Sequence, residues 1–179
     1  MLPAEIPAGP VRLRQFRSED ARRVCRLAGD WAVATTTALI PHPYPEAAAV
    51  DWIASHDSLR REGKSYPYAV VRDDGHLIGC ISFQPDPSNL DSIGYWVGVP
   101  YWGQGYASAA AGALLEVAFL HCARDSLSAT HLKSNPASGR VLQKCGMRFW
   151  REDAVAHRGR ALEPILVWRI ERKLRTPPP

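Results

Sequence analysis

Apolar residues change their spacing several times along the chain, and each change marks an element. Val11 and Leu13 alternate with Arg12 and Arg14, which predicts a short strand with one buried face. Ser18-Glu19-Asp20 supplies helix-start chemistry ahead of Ala21, Val24, Leu27 and Ala28, whose recurrence is helical. Trp31 to Pro45 shows neither period and reads as a loop. A second helix is expected from Glu46 to Glu62, stopped by Gly63. Tyr66 to Arg72 and Leu77 to Phe83 are β-rich runs joined through Asp73-Asp74-Gly75-His76, which predicts a hairpin.

Beyond the loop Gln84 to Asn89, the pattern gives a strand Ser92 to Val97, a helix Ala107 to His121, a strand Leu127 to Lys133 and a helix Pro136 to Cys145. A last strand pair, Arg148 to Glu152 and Ile165 to Arg172, flanks the polar stretch Asp153 to Glu163. The order β-α-α-β-β-β-α-β-α-β-β predicts an α+β (mixed α/β) fold, with a mixed sheet of six to seven strands and four helices. Only the crossover helix from Ala107 requires a parallel neighbour.

Length and composition narrow the picture. The 179 residues suit a single domain, expected to span 1–179 with a core over 11–172 and a loose tail over 173–179 that ends in Pro177-Pro178-Pro179. No run of eighteen apolar residues exists, and Met1 to Pro10 lacks the charged-then-apolar order of a signal peptide, so a cytoplasmic protein with no membrane partner is expected. The formal charge of +4 is spread along the chain without a basic run interleaved with aromatics, which argues against nucleic acid. Its densest group, Arg12, Arg14, Arg17, Arg22, Arg23 and Arg26, reads as a solvated face, while the mild excess suits a polyanionic ligand. Cys25, Cys80, Cys122 and Cys145 form no C-x-x-C pair and read as buried small hydrophobes. His121 and Cys122 are adjacent and would diverge on a helix, so no metal site is expected.

The candidate chemistry begins where the strand ending at Val97 runs through Gly98-Val99-Pro100-Tyr101-Trp102-Gly103-Gln104-Gly105 into an alanine-rich helix. The first N–H groups of a helix lack internal partners and sit at the positive end of its dipole, so such a junction accepts a phosphate without a charged side chain. A nucleoside-triphosphate loop needs Lys and then Ser or Thr after its second glycine; here Tyr106 and Ala107 follow Gly105. A dinucleotide fingerprint needs a third glycine where Ser108 stands. A plain strand-to-helix connection is the alternative for the loop. For Asn135-Pro136 the alternative is ordinary capping, with Asn as N-cap, Pro at the first helical position and Gly146 closing the helix.

Together these blocks resemble motif A and its partner block in the GNAT acyltransferase superfamily, whose loop [Gln/Arg]-x-x-Gly-x-[Gly/Ala] holds the pyrophosphate of acetyl-CoA. Gly105 and Ala107 match the last two signature positions, and Trp102 stands where Gln or Arg is usual. The wording Gly94-Tyr95-Trp96 followed by Tyr101-Trp102-Gly103-Gln104-Gly105-Tyr106-Ala107 is similar to the branch of the ribosomal-protein alanine N-acetyltransferases (RimJ/RimL). So is Asn135-Pro136-Ala137-Ser138 through Val141-Leu142, Lys144 and Gly146-Met147. Ile40-Pro41-His42-Pro43-Tyr44-Pro45 resembles the Pro-rich turn before the second helix, and the likeness covers roughly Val11 to Arg172.

The resemblance implies a GNAT fold splayed between its fourth and fifth strands, with acetyl-CoA as cosubstrate and no metal. It places the pantetheine against the backbone of Tyr95, Trp96 and Val97, and the pyrophosphate against Trp102, Gly103, Gln104, Gly105, Tyr106, Ala107 and Ser108. Asn135 and Ser138 would lie close to the cofactor. Many superfamily members have an acid Tyr seven residues after that Asn; here the position is Leu142, which leaves Ser138 or solvent as the proton source. A Glu common two places after the loop's Ala is Ala109 here, and the Glu often found before Ile-Gly-Tyr-Trp is replaced by Asp91-Ser92. Asp91 is therefore the candidate base, with a strand-entry turn residue as its alternative role. Glu152 and His157 fall near the implied substrate mouth.

A feeble base bears on the acceptor. An α-amino group of pKa about 8 costs about 1 kcal/mol to deprotonate at pH 7, and a lysine amine about 4.6 kcal/mol. The expected activity is acetyl transfer to a primary amine, most readily a protein or peptide N-terminus. A small amine such as an antibiotic or polyamine, and a non-catalytic acyl-CoA-binding module, are the alternatives. A homodimer is left open.

Overall fold

The computed structural model describes residues 2–37, 39–88, 90–122, 124–156 and 162–172. Eight strands form one sheet: β1 (Glu5–Ala8), β2 (Val11–Arg14), β3 (Tyr66–Arg72), β4 (Leu77–Gln84), β5 (Ser92–Val97), β6 (Ser126–Leu132), β7 (Arg148–Ala156) and β8 (Leu162–Glu171). Their spatial order is β1-β2-β3-β4-β5-β6-β8-β7. Among the described residues six α-helices accompany them: α1 (Ala21–Ala28), α2 (Trp31–Ala34), α3 (Glu46–Ala54), α4 (His56–Arg61), α5 (Tyr106–His121) and α6 (Pro136–Lys144).

The strand count exceeds the expected six to seven because Glu5–Ala8 turns through Gly9 and pairs with Val11–Arg14, burying Ile6 and Ala8. That hairpin starts before Val11, where the core was expected to begin. The predicted loop Trp31 to Pro45 opens with the single-turn α2, capped by the Asp30 side chain. The predicted helix Glu46 to Glu62 is interrupted at Ser55, whose hydroxyl donates back to the Trp52 carbonyl. Most of the polar stretch Asp153 to Glu163 is ladder: Asp153 to Ala156 pair with Leu162 to Ile165. An edge ribbon exposed on both faces carries no apolar alternation by which to find it. The predicted tail over 173–179 lies outside the described residues.

Two cores sandwich the sheet. On one face Leu13, Tyr68, Val70, Ile81 and Phe83 pack with Leu114 of α5 and Leu142 of α6. On the other, Ala69, Val71 and Leu77 pack against Val24, Leu27 and Ala28 of α1 and Ala49 of α3. Neighbouring residues of β3 serve opposite cores, so this strand is apolar without alternation. Cys80 is buried on β4, whereas Cys25, Cys122 and Cys145 are only half-buried, which corrects the expectation of four interior thiols; all four are free. His56 is buried between Phe16 and Trp52, and burial, with Arg60 nearby, pushes its imidazole down to about 4, against the opposing pull of Asp57. Among the described residues no helix is long and apolar enough to cross a membrane.

The position of the site follows from the one parallel contact. All strand pairs are antiparallel except β5–β6, and there only Ser92–Ser128 and Ile93–Ala129 are in register. Beyond them β5 stays with β4 while β6 stays with β8, and the sheet parts between its fifth and sixth strands. This is the expected splay, renumbered by the extra β1.

Candidate active site

The parted seam opens a groove of about 340 Å³ bounded by the end of β5, the first turn of α5, the end of β6 and one face of α6. In a strand, N–H and C=O groups point alternately to either side. Gly98 N–H donates to Ile78 of β4, whereas the Asp91 carbonyl accepts from Ser128 N–H of β6. By alternation, Tyr95 and Val97 direct their backbone groups at the seam, and Trp96 directs its own at β4. With the pairing to β6 ended at Ile93, Tyr95 N–H and C=O and Val97 N–H face the groove. The Val97 carbonyl is taken by the indole Nε1 of Trp102, which donates to it at 2.6 Å. Trp102 thus closes the polar account at the mouth of the seam.

Below the seam, α5 begins at Gly105, whose φ of +82° lies in the left-handed region, as does that of Gly103 at +74°. A Cβ at either would meet nothing within 4 Å, so these glycines answer to backbone conformation and to open space kept in front of the helix. The first helical bond runs from Ala109 N–H to the Gly105 carbonyl. The N–H groups of Tyr106, Ala107 and Ser108 therefore have no acceptor within the helix, and no side chain caps them. They face the groove together with Arg140 and Lys144, one turn apart on α6. The result is an anion cradle with two cations on its far wall.

The α6 wall is set by its cap. Asn135 Oδ1 accepts from Ser138 N–H at 3.3 Å, and Pro136 occupies the first helical position. Ser138 then stands across the seam from Tyr95, with the two side-chain oxygens 2.7 Å apart. Burial pushes the Tyr95 phenol up to about 12, against the opposing pull of that hydrogen bond. Behind them His131, 7% exposed, is held at both ring nitrogens: Trp168 Nε1–H donates to Nε2 at 3.0 Å, and Nδ1 lies 2.8 Å from the Leu132 carbonyl. In this geometry Nδ1–H donates to the carbonyl and Nε2 accepts from the indole, so both ring nitrogens are engaged.

Of the residues singled out from the sequence, Tyr95, Trp96, Val97, Trp102, Gly103, Gly105, Tyr106, Ala107, Ser108, Asn135 and Ser138 line this one groove. Gln104 does not; its amide donates to the Pro100 carbonyl and braces the loop from outside. Asp91 is the main departure. It precedes β5 at the paired end of the seam, four residues or about 13 Å of strand from Tyr95, and it is 1% exposed. One carboxylate oxygen accepts from Asp86 N–H at 2.6 Å and the other lies 2.6 Å from Arg124 Nε. Its surroundings are those of the turn residue rather than of a base facing the groove. Glu152 is ion-paired with Lys133 on the exposed edge ribbon, and His157 lies outside the described residues. Sequence reasoning missed Arg140, Lys144 and His131. The first two could have been found by the four-residue spacing within the recognised Asn135 to Met147 block; His131 carried no local signal. Among the described residues no three His, Cys, Asp or Glu side chains gather as a metal site.

An open parallel seam leading to a glycine-initiated helix is a recognisable combination, and the model of the acetyltransferase (GNAT) domain matches residues 11–148. The chain belongs to the GNAT acetyltransferase family. It is accordingly an N-acetyltransferase that uses acetyl-CoA. Similar solved structures agree in fold. The GNAT-family acetyltransferase from Bacillus anthracis has a TM-score of 0.81 at 22% identity, over 93% of this chain and 98% of its own. Mycobacterium smegmatis RimJ, in complex with CoA-disulfide, has a TM-score of 0.81 at 23% identity, over 93% and 84%. The ribosomal-protein-S5-alanine acetyltransferase from Vibrio fischeri has a TM-score of 0.80 at 17% identity, over 94% and 97%.

Proposed function

We propose that this GNAT enzyme acetylates the N-terminal amine of a protein or peptide. The pyrophosphate of acetyl-CoA would rest on the N–H groups of Tyr106, Ala107 and Ser108 with Arg140 and Lys144 beside it. The pantetheine amides would take the place of β6 against Tyr95 and Val97. A thioester is already activated, so transfer is chiefly a matter of position. A backbone N–H at the seam would stabilise the oxyanion. Ser138 would carry a proton to the departing thiolate, since the buried Leu142 at the usual acid position has none to give.

The observation that carries the acceptor reading is that no carboxylate lines the groove among the described residues. The one imidazole there, His131, is already bonded at both nitrogens. An amine that enters such a site must lose its proton largely by its own acidity, which favours a pKa near 8 over one near 10.4 by about 3 kcal/mol. One of the similar structures, the ribosomal-protein-S5-alanine acetyltransferase, fits a protein acceptor by name.

The test is acetyl-CoA turnover with Ala- and Ser-initiated hexapeptides, an N-blocked lysine peptide, spermidine and kanamycin. The free N-terminal peptides should react fastest, with kcat/KM rising through the α-amine's own titration near pH 8. Preference for spermidine or kanamycin would overturn the acceptor reading in favour of a small amine. Acetyl-CoA binding without turnover of any amine would favour a non-catalytic acyl-CoA-binding module.

A further inference from the structure

Tyr95 and Ser138 come from β5 and α6, and the phenol has two neighbours on that one serine. Its oxygen lies 2.7 Å from Ser138 Oγ and 3.1 Å from the Ser138 carbonyl oxygen. A phenol has a single proton, so these contacts define two arrangements. In one, Tyr95 donates to the carbonyl and accepts from Ser138, whose proton then points at the ring. In the other, Tyr95 donates to Oγ and the serine's own proton is free to face the groove. The shorter, hydroxyl contact is kept in both arrangements, and only the second leaves the serine proton to the groove. The phenol stays protonated at any working pH, because burial holds it well above neutrality.

We infer that Tyr95 is a positioning residue for acetyl transfer: its hydroxyl donates to Ser138 Oγ and so turns the serine proton toward the departing sulfur. This rests on the reading of the groove as the acetyl-CoA site with Ser138 beside the thioester. The amine nitrogen attacks the carbonyl carbon, the C–N bond forms, and the carbonyl electron pair moves onto oxygen. As the adduct collapses the C–S bond breaks and its electron pair stays on sulfur. Ser138 passes its hydroxyl proton to sulfur while its oxygen takes the proton that the adduct's nitrogen gives up. The serine ends neutral, and the products are the amide and the free thiol. Tyr95 keeps its proton throughout, since a phenol near 12 is a weaker acid than a thiol near about 8.5. It contributes direction, and the absence of a Tyr at Leu142 leaves that task to it.

The experiment compares Tyr95→Phe, Ser138→Ala and the double variant, using acetyl-CoA and the fastest acceptor of the amine panel. Calorimetry gives acetyl-CoA affinity and thermal melting reports the fold. Tyr95→Phe should lower kcat by about tenfold to a hundredfold, up to the lower limit of lost acid–base assistance, because the serine itself remains. Its KM for acetyl-CoA and its Tm should stay near those of the parent. The double variant should be no slower than Ser138→Ala alone, because Tyr95 acts only through the serine. If Ser138→Ala is slow but Tyr95→Phe stays within twofold of the parent, the positioning role is overturned and the serine reading stands. If the two losses multiply, Tyr95 acts independently of Ser138 and the inference is equally overturned. An undiminished kcat in Ser138→Ala with binding intact overturns the serine reading and this inference with it. Should Tyr95→Phe melt early, 3-fluorotyrosine at this position keeps the shape and strengthens donation. It should then hold or raise kcat, and a tenfold fall would refute the inference.

Discussion

At its first two residues β5 is paired to β6, and by its fourth it is not. At the paired end the polar groups of Asp91 are engaged within the protein: its carbonyl accepts from Ser128 N–H and Oγ, one carboxylate oxygen accepts from Asp86 N–H, and the other is ion-paired with Arg124. At the open end the backbone of Tyr95 and the first turn of α5 have no such partners, and the cations Arg140 and Lys144 face the same space. An ionisable side chain at the closed end is taken up by its neighbours, while backbone amides at the open end are left facing a groove. The lesson is that along one strand, location relative to the end of pairing outranks residue type as a guide to chemistry.

Placing a charge in the open end should break the comparison most severely. Gly105→Asp puts a carboxylate at the proposed phosphate cradle, and nothing lies within 4 Å of the new Cβ, so the fold has room for it. Left-handed φ at a non-glycine residue costs about 1–2 kcal/mol. Acetyl-CoA affinity by calorimetry should fall at least a thousandfold, about 4 kcal/mol, with the folded far-ultraviolet spectrum retained. Undiminished affinity would remove the phosphate assignment.

The closed end should respond in the opposite currency. Asp91→Ala removes the ion pair with Arg124 and the acceptor of Asp86 N–H, and should cost about 2–3 kcal/mol in urea denaturation, below the usual range for a buried pair because Arg124 is one-third exposed. Asp91→Asn keeps the acceptor to Asp86 and should lower kcat/KM less than about tenfold per folded molecule, short of the usual loss for a general base. A thousandfold loss in Asp91→Asn with acetyl-CoA affinity preserved would restore Asp91 as the base.

This contrast explains what was legible in the sequence. Gly103, Gly105, Asn135 and Pro136 could be read because a left-handed turn and a helix cap demand particular residue types locally, and the open first turn of α5 and the cap of α6 are made of those same local demands. The parallel seam was legible because neighbouring parallel strands need a crossover connection, and the long helix between Val97 and Ser126 supplies one. Asp91 misled because its fate depends on Arg124, which reaches it only through the β5–β6 register. His131 and Trp168 meet through the antiparallel β6–β8 ladder with a whole helix between them in sequence. The ribbon beyond Glu152 was unreadable because a strand bare on both faces has no reason to alternate.

A further test sharpens how closely α6 is fitted to the open end. A Cβ on Gly139 would lie 2.8 Å from His131 Nε2 and 3.2 Å from Cε1. That ring cannot give way freely, being bonded at both nitrogens to Trp168 and Leu132. Gly139→Ala should therefore cost about 1–3 kcal/mol as an overpacked contact and displace Ser138 from Tyr95, lowering kcat more than acetyl-CoA affinity. Equal stability of parent and variant would mean that α6 rides loosely on β6.

The smallest effect decides between the two roles that Asn135 fills at once. It caps α6 through Ser138 N–H and it lines the groove. As a cap alone, Asn135→Ala should cost about 1 kcal/mol of stability, and Asn135→Asp should cost close to nothing, since Asp caps as well as Asn. As a groove residue, the Asp variant should be the worse of the two toward acetyl-CoA, because it brings a negative charge into the cavity proposed for the phosphates. Melting curves and calorimetry on both variants separate the roles: Ala less stable than Asp, and Asp weaker than Ala in acetyl-CoA affinity, is the crossed pattern expected of a residue that serves both. Loss of stability in Ala with identical affinity in all three proteins would reduce Asn135 to a cap, and the open end would then begin at Ser138.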